Sequence, residues 1–334
     1  MNERTMLAET AARLLRDIAS TPTLAFAAAW QRAVDLGLPL LMVEEAAGGF
    51  GGSWTDLSIV QWEAGRHASA LPLGECILAQ HLCARAGMSM RDGFGTVAFD
   101  LRGTCDGANF TGVARNVPAG RHAQWLVGIV EGSLLRIDTK NGVVSEKHNL
   151  AGEARDTLTF ESAPYERIQF DSLGWPPLEC GALLRLGQIA GALTAALTLT
   201  TEYVTRRVQF GKPIGSFQSV QQQLAAFAIE AAAAGCAARA ACAAADRTAT
   251  PQAAGYAIAA AKLRANLAIG VATATAHQLH GAIGFTQEYP LHPLTRRLWA
   301  WRTEAGNDQY WSSRLGAHVA SRGPDCAWAD IVAA

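Results

Sequence analysis

Three absences narrow what this 334-residue chain can be. The first is any excess of charge. Lys and Arg number 28 against 29 Asp and Glu, for a net charge of −1, with no long run of one sign. A nucleic-acid footprint normally shows as a basic patch, so that class is excluded. The second is cysteine pairing. Seven cysteines, at 76, 83, 105, 180, 236, 242 and 326, include no C-x-x-C, which argues against a zinc site or a disulfide framework and points to a reducing cytoplasm. The third is an uninterrupted apolar run. The N-terminus "MNERTMLAETAARLLRDIAS" alternates charged and apolar residues at helical spacing and does not read as a secretory signal. The weakly polar tract 224–245 is mostly alanine and is broken by Glu230 and Arg239, so it reads as a buried helix with no membrane span. No repeat period or disordered tract is evident.

What is present is apolar bulk. Half the residues are hydrophobic and 17% are charged, enough for a large core in two or three packed modules. Residues 1–91 read as helical, broken by the glycine-rich loop 48–52, with helix resuming at Thr55 or Asp56 as N-cap. Residues 92–170 turn β-like. Short branched or aromatic runs ("FGTVAFDL", "QWLVGIV", "SLLRIDT", "DTLTFESA", "ERIQF") are bounded by Gly, Asn, Asp or Pro. Residues 171–334 return to long alanine-rich helices. One is expected from near Leu178 to near Val208 and a second after Ser219. A third is expected from Thr250-Pro251, with Thr as cap and Pro at the first position, to His280, where Gly281 stops it.

Three segments carry more chemistry than packing needs. They are "AVDLGLPLLMVEEAAGGFGGSWTDLSIVQWEAGR", "TRRVQFGKPIGSFQSVQQQLA" and "HQLHGAIGFTQEYPLHPLTRR". The glycine loop does not sit between a strand and a helix, and "QFGKPIGS" lacks the upstream glycine of a phosphate-binding loop, so nicotinamide and nucleoside-triphosphate enzymes are disfavoured. In this order and spacing the three segments resemble those of the acyl-CoA dehydrogenase family of flavoproteins. They match its Gly-Gly-x-Gly loop, its Arg-x-x-Phe-Gly-Lys-x-Ile hairpin and its Gln-x-x-Gly-Gly-x-Gly-aromatic segment. The resemblance implies a mainly helical fold with a small β domain: an N-terminal helical domain, a middle β-barrel and a C-terminal four-helix bundle.

It also implies a cofactor, FAD, bound across a subunit interface. On spacing alone the hairpin stretch is equally a solvated helix end with a charged last turn. Under the resemblance Arg207, Gln209, Phe210 and Gln218 contact FAD. The guanidinium fork suits a pyrophosphate, and the aromatic ring suits an adenine or ribose. Gln278, His280, Gly281 and Ala282 cover the dinucleotide reached by the neighbour's hairpin, with Ala282 standing where the family has glycine. Asn307 and Gln309 are further cofactor contacts. His277 and His280 share a helical face but lack a third ligand, so packing is favoured and no metal is expected.

The family's reaction needs a carboxylate over the α-carbon of the thioester. Read without gaps, that position falls on Ala305, followed by Gly306, and Glu304 stands one residue early. A second base position used by some members falls on Gly181, two residues after Glu179 and before Ala182, where many members have Arg. Three readings stay open. Glu304 is the catalytic base after a one-residue shift of the loop; or the chain is a base-lacking subunit completed by a homologous partner; or the fold runs other flavin chemistry, as in a flavin monooxygenase or a nitroalkane-oxidase-like relative. Asp308 is a weaker candidate. The Thr-Glu-Pro-Gly and Trp-x-Thr-Asn segments that hold the flavin ring in typical members are missing. Trp299, Trp301 and Trp311 fill the bundle core or line an acyl pocket, with core filling favoured. The implied activity is α,β-dehydrogenation of an acyl-CoA by a cytoplasmic, tetrameric enzyme, a homo-oligomer or one with a homologous partner subunit. Electrons pass to an electron-transfer flavoprotein.

Overall fold

The computed structural model of the chain describes residues 2–21, 23–169, 174–248, 250–252, 254–326 and 328–330. The domain boundary expected at 170/171 lies outside them. The N-terminal part is helical: α1 (Glu3–Ala19), α2 (Phe26–Asp35), α3 (Trp54–Arg66) and α4 (Leu73–Arg85). The start of α3 corrects the expectation from sequence. Its N-cap is Ser53, whose hydroxyl receives the Asp56 N–H while the Asp56 carboxylate receives the Ser53 N–H, a reciprocal capping box. Thr55 instead donates its hydroxyl to Asp246, which also accepts the N–H groups of Trp54 and Thr55. A carboxylate from a distant helix thus satisfies the open end of α3.

The middle of the chain forms a sheet of seven strands: β1 (Gly95–Val97), β2 (Asp100–Asp106), β3 (Asn109–Pro118), β4 (Trp125–Val130), β5 (Ser133–Asp138), β6 (Gly142–Ser145) and β7 (Arg155–Gln169). The order is β1-β4-β5-β7-β3-β2, with β6 also on β7. Only β1 and β4 run parallel. The runs "DTLTFESA" and "ERIQF" are one strand, β7, which pairs with β5 over its last part and with β3 and β6 over its first. The sheet closes on its own small core of Leu101, Phe110, Leu126, Ile137, Leu158 and Phe160.

The C-terminal bundle contains α5 (Pro177–Arg206), α6 (Gln218–Thr248), α7 (Gly255–His280), α8 (Leu291–Thr303) and α9 (Asp308–Arg322). The third helix starts at Gly255, not at Thr250-Pro251. Residues 250–252 form a turn in which Gln252 N–H donates to Gly174 O, so a tertiary bond outbids the local start signal. Gly281 does end α7, at φ 63°. Helices α3 and α5 touch backbone to backbone: a Cβ at Gly65 would lie 1.9 Å from Gln188 O, and one at Gly191 1.9 Å from Trp62 O. This contact ties the N-terminal helices to the bundle in one continuous core. Helices α5, α6 and α7 are long and apolar enough to cross a membrane by composition; 72% and 61% of the apolar windows of α5 and α7 are buried inside the protein, but only 33% of that of α6, so the tract 224–245 expected as a buried helix is largely not buried in the single chain. Trp301 and Trp311 are fully buried in the core, whereas Trp299 is 40% exposed and lines a cavity.

Candidate active site

A cavity of about 780 Å³ opens where the β-sheet part meets the C-terminal helices. Its walls are the first turns of α5, the end of α8, strands β2 and β3, and the loop before β7. Its floor is the turn from Glu304 to Asn307 that joins α8 to α9. Ala305 there sits in the left-handed region at φ 52°, followed by Gly306 at φ 95°. A Cβ at Gly306 would fall 2.3 Å from the Trp311 ring nitrogen, so only glycine fits that step. The Trp311 indole N–H donates to Ala305 O at 3.0 Å and holds the strained residue in place.

The turn sets two positions face to face. A Cβ at Gly181 would lie 3.1 Å from the Ala305 methyl, so Gly181 on α5 and Ala305 on the turn meet directly. Neither offers a carboxylate. Glu304, one residue earlier, points into a cluster of cations. Arg155 Nε donates to it at 3.0 Å, Arg185 Nε at 2.7 Å and Asn149 Nδ2 at 2.8 Å. Burial alone would raise its pKa, but Arg185 and Arg155, with the hydrogen bonds from Arg155 and Asn149, reverse this and hold it down to about 2. The cluster continues outward in alternating sign. Arg185 also pairs with Glu75 on α4 at 2.7 Å, and Arg155 with Glu153 at 2.9 Å. Glu153 in turn receives Arg297 at 3.0 Å and the Trp301 indole at 3.1 Å. Asp308 is paired with Arg302.

The hairpin residues stand elsewhere. After Arg207 caps α5, Val208–Gln209 and Lys212–Pro213 form a two-residue hairpin whose tip, Phe210 at φ 52° and Gly211 at φ 79°, has the paired positive φ of a type I′ turn. Arg207, Gln209 and Gln218 are exposed, and Phe210 is 90% exposed. Lys212 packs over Phe217, and Phe217 meets Phe210 edge-on. None of these residues lines the cavity over Glu304. The base of the hairpin does reach the 278–282 segment: the Tyr203 ring stacks on buried His280 at 4.6 Å. His280 Nδ1 bonds to Ala276 O, which leaves Nε2 buried without a hydrogen-bond partner. His277 bonds to Thr295 and stacks on Phe285. Gln278, Gly281 and Ala282 are exposed, and Ala282 keeps a negative φ, so its methyl carries no backbone strain. Asn307 caps α9 by accepting Tyr310 N–H at 2.9 Å and, with Gln309, lines a separate cavity of about 580 Å³.

A family model described as the C-terminal domain of acyl-CoA dehydrogenase matches residues 177–320. Acyl-CoA dehydrogenase IpdE2 of Mycobacterium tuberculosis is 31% identical over 311 residues, covering 88% of this chain and 90% of that one. The chain belongs to the acyl-CoA dehydrogenase family. It is an oxidoreductase of the type that acts on acyl-CoA. The dehydrogenase fold extends to solved structures of lower identity. The ChsE4-ChsE5 complex from Mycobacterium tuberculosis matches with a TM-score of 0.83 at 20% identity, over 97% of this chain and 99% of that one. PigA with FAD and proline matches with a TM-score of 0.80 at 18% identity, over 97% and 99%.

Sequence reading singled out the turn and the hairpin but missed what surrounds the turn. Arg155, Arg185, Asn149 and Lys262 were not recognised. Arg185 had a signal: a single cation inside the apolar stretch "ALLRLGQIAG" has to meet a partner when that helix is buried.

Proposed function

We propose that this dehydrogenase is the base-lacking subunit of a heteromeric enzyme and lends its hairpin to a flavin site shared with a homologous partner. The observation that carries the reading is the pairing of Gly181 with Ala305 while Glu304 is turned into two arginines. Both places where the family puts its base are filled by groups that cannot take a proton. A carboxylate with a pKa near 2 is mismatched to removing a weakly acidic α-proton near neutral pH. In this reading Glu304 does not act as the base.

The residues fit FAD as a shared ligand. An exposed guanidinium, amide and aromatic ring project from one hairpin, and His280 keeps a buried ring nitrogen unsatisfied beneath its base. Arg207 would meet the pyrophosphate, Gln209 and Gln218 would hydrogen-bond the dinucleotide, and Phe210 would cover an adenine or ribose. Gln278, His280, Gly281 and Ala282, together with Asn307 and Gln309, would complete the cofactor contacts. When bound, the flavin accepts the hydride that leaves the β-carbon of the acyl-CoA. A carboxylate of the partner would take the α-proton, and an electron-transfer flavoprotein would take the two electrons from the flavin. The apolar helix α6, only 33% of whose apolar window is buried and with Ile229 68% exposed, supports an oligomer, and we place the enzyme in the cytoplasm as a tetramer of two subunits of each kind. PigA with FAD and the ChsE4-ChsE5 complex are precedents in this fold for the cofactor and for a two-component assembly.

The test is an anaerobic titration with acyl-CoAs of the purified chain, alone and after co-expression with a homologous dehydrogenase subunit. Flavin bleaching should require the partner and survive Glu304→Gln. Bleaching by the chain alone that Glu304→Gln abolishes would refute the reading.

A further inference from the structure

Beneath the turn lies a lysine the reading above does not use. Lys262, on α7, is fully buried. Its ammonium, with three protons, lies within hydrogen-bond distance of four carbonyl oxygens: Asn266 Oδ1 at 2.8 Å, Trp301 O at 3.1 Å, Gly306 O at 3.2 Å and Arg302 O at 3.3 Å, the last two close enough to share one proton. Two of these belong to the last turn of α8, where helix carbonyls have no intrahelical partner and a cation is favoured. The third belongs to the exit of the Glu304–Asn307 turn. Asn266, four residues on and also fully buried, adds a long Nδ2 contact to the same Gly306 O at 3.4 Å. Burying an ammonium costs several kcal/mol unless its protons are met. An apolar side chain of similar length would fill the same space without that cost. What only the ammonium supplies is a bond to both sides of one turn.

We propose that Lys262 is the positioning residue of this site: its ammonium staples the end of α8 to the far side of the Glu304–Asn307 turn and so fixes where Ala305, Asn307 and Gln309 stand. The residues of the turn are otherwise held singly, Glu304 by the arginines, Ala305 by Trp311 and Asn307 by its own cap. Arg302 and Asp308 pair across the same turn on its partly exposed side, and Lys262 ties the entrance to the exit from the buried side. The charged groups that act on it are Arg185, Glu304, Asp308 and Arg302, and burial pushes it down to about 7.

The experiment is hydrogen exchange by mass spectrometry on the full chain and on Lys262→Met, with FAD titrated into the assembled oligomer of each. Exchange in peptides spanning 301–308 should speed up at least tenfold, with peptides of the β-sheet and of hairpin 205–218 unchanged. Unchanged exchange at 301–308, or an equal acceleration everywhere, overturns the proposal. If Lys262→Met does not fold, Asn266→Ala removes one acceptor of the ammonium and the second donor to Gly306. It should speed the same peptides about threefold, and no local change overturns the proposal. The flavin arm rests on the function proposed above, and a roughly tenfold weaker FAD affinity is expected. Faster exchange with unchanged FAD affinity would sink the cofactor role of Asn307 and Gln309 and leave the staple standing.

Discussion

Glu304→Gln separates an anchor from a base. In the folded chain the carboxylate titrates near 2, against an ordinary value of 4.5. That difference of about 2.5 pH units corresponds to about 3 kcal/mol of folding stability, at about 1.4 kcal/mol per unit. The side chain is only 20% exposed, so solvent screening removes little of this. The sign follows from the direction of the shift. A folded pKa below the unfolded one stabilises above pH 4.5, and the contribution is lost as pH falls from there toward 2. Urea denaturation at pH 7 should therefore find Glu304→Gln less stable by about 3 kcal/mol, within the range for breaking a buried ion pair. By pH 2.5 most of the gap between variant and wild type should have closed. An amide at this position also leaves Arg155 and Arg185 with Glu153 and Glu75 as their remaining carboxylates, so the fold persists. A loss below 1 kcal/mol at pH 7, or a gap that does not change with pH, would refute the assignment of Glu304 as an anchor between the β part and the C-terminal helices.

Other substitutions test other links. Arg207→Ala should strip FAD from the assembled oligomer, read by flavin absorbance after gel filtration, with no change in the melting temperature of the flavin-free chain, because the side chain is exposed there. Gly191→Ala should destabilise by about 3 kcal/mol in urea, since its methyl would stand 1.9 Å from Trp62 O. Asp246→Ala should cost about 2 kcal/mol by the same assay, since it removes three hydrogen bonds at the start of α3. Trp301→Phe should cost about 2 kcal/mol, since it removes the buried indole hydrogen bond to the Glu153 carboxylate and leaves the smaller ring in a fully buried site.

Local chemistry was legible wherever one stretch of chain decides the outcome. The long helices and the stop at Gly281 follow from periodicity, propensity and the need for positive φ, all properties of neighbouring residues, whereas the hairpin came with the family resemblance and local propensity would not place Phe210 at φ 52°. The start of α3 was misplaced by two or three residues because Thr55 and Asp56 look like caps as much as Ser53 does. The distant Asp246 takes Thr55 and leaves the box to Ser53 and Asp56. Strand β3, "NFTGVARNVP", gave no clear signal, since its Gly and Asn residues dilute the alternation and its pairing partners lie as far away as Pro164, the partner of Asn109.

By itself the sequence determined the order of helical, β and helical parts, and that a hairpin and a turn carry groups a helical bundle does not need. The direction in which those groups point was decided only by the tertiary structure. Whether Glu304 faces a substrate or a guanidinium depends on Asn149, Arg155 and Arg185, which lie 119 to 155 residues away along the chain. No local preference encodes such a meeting. Charge pairing in a buried site is settled by which side chains the packed helices and sheet bring within 3 Å, and there the strength of the field, not the identity of the residue, sets what a carboxylate can do.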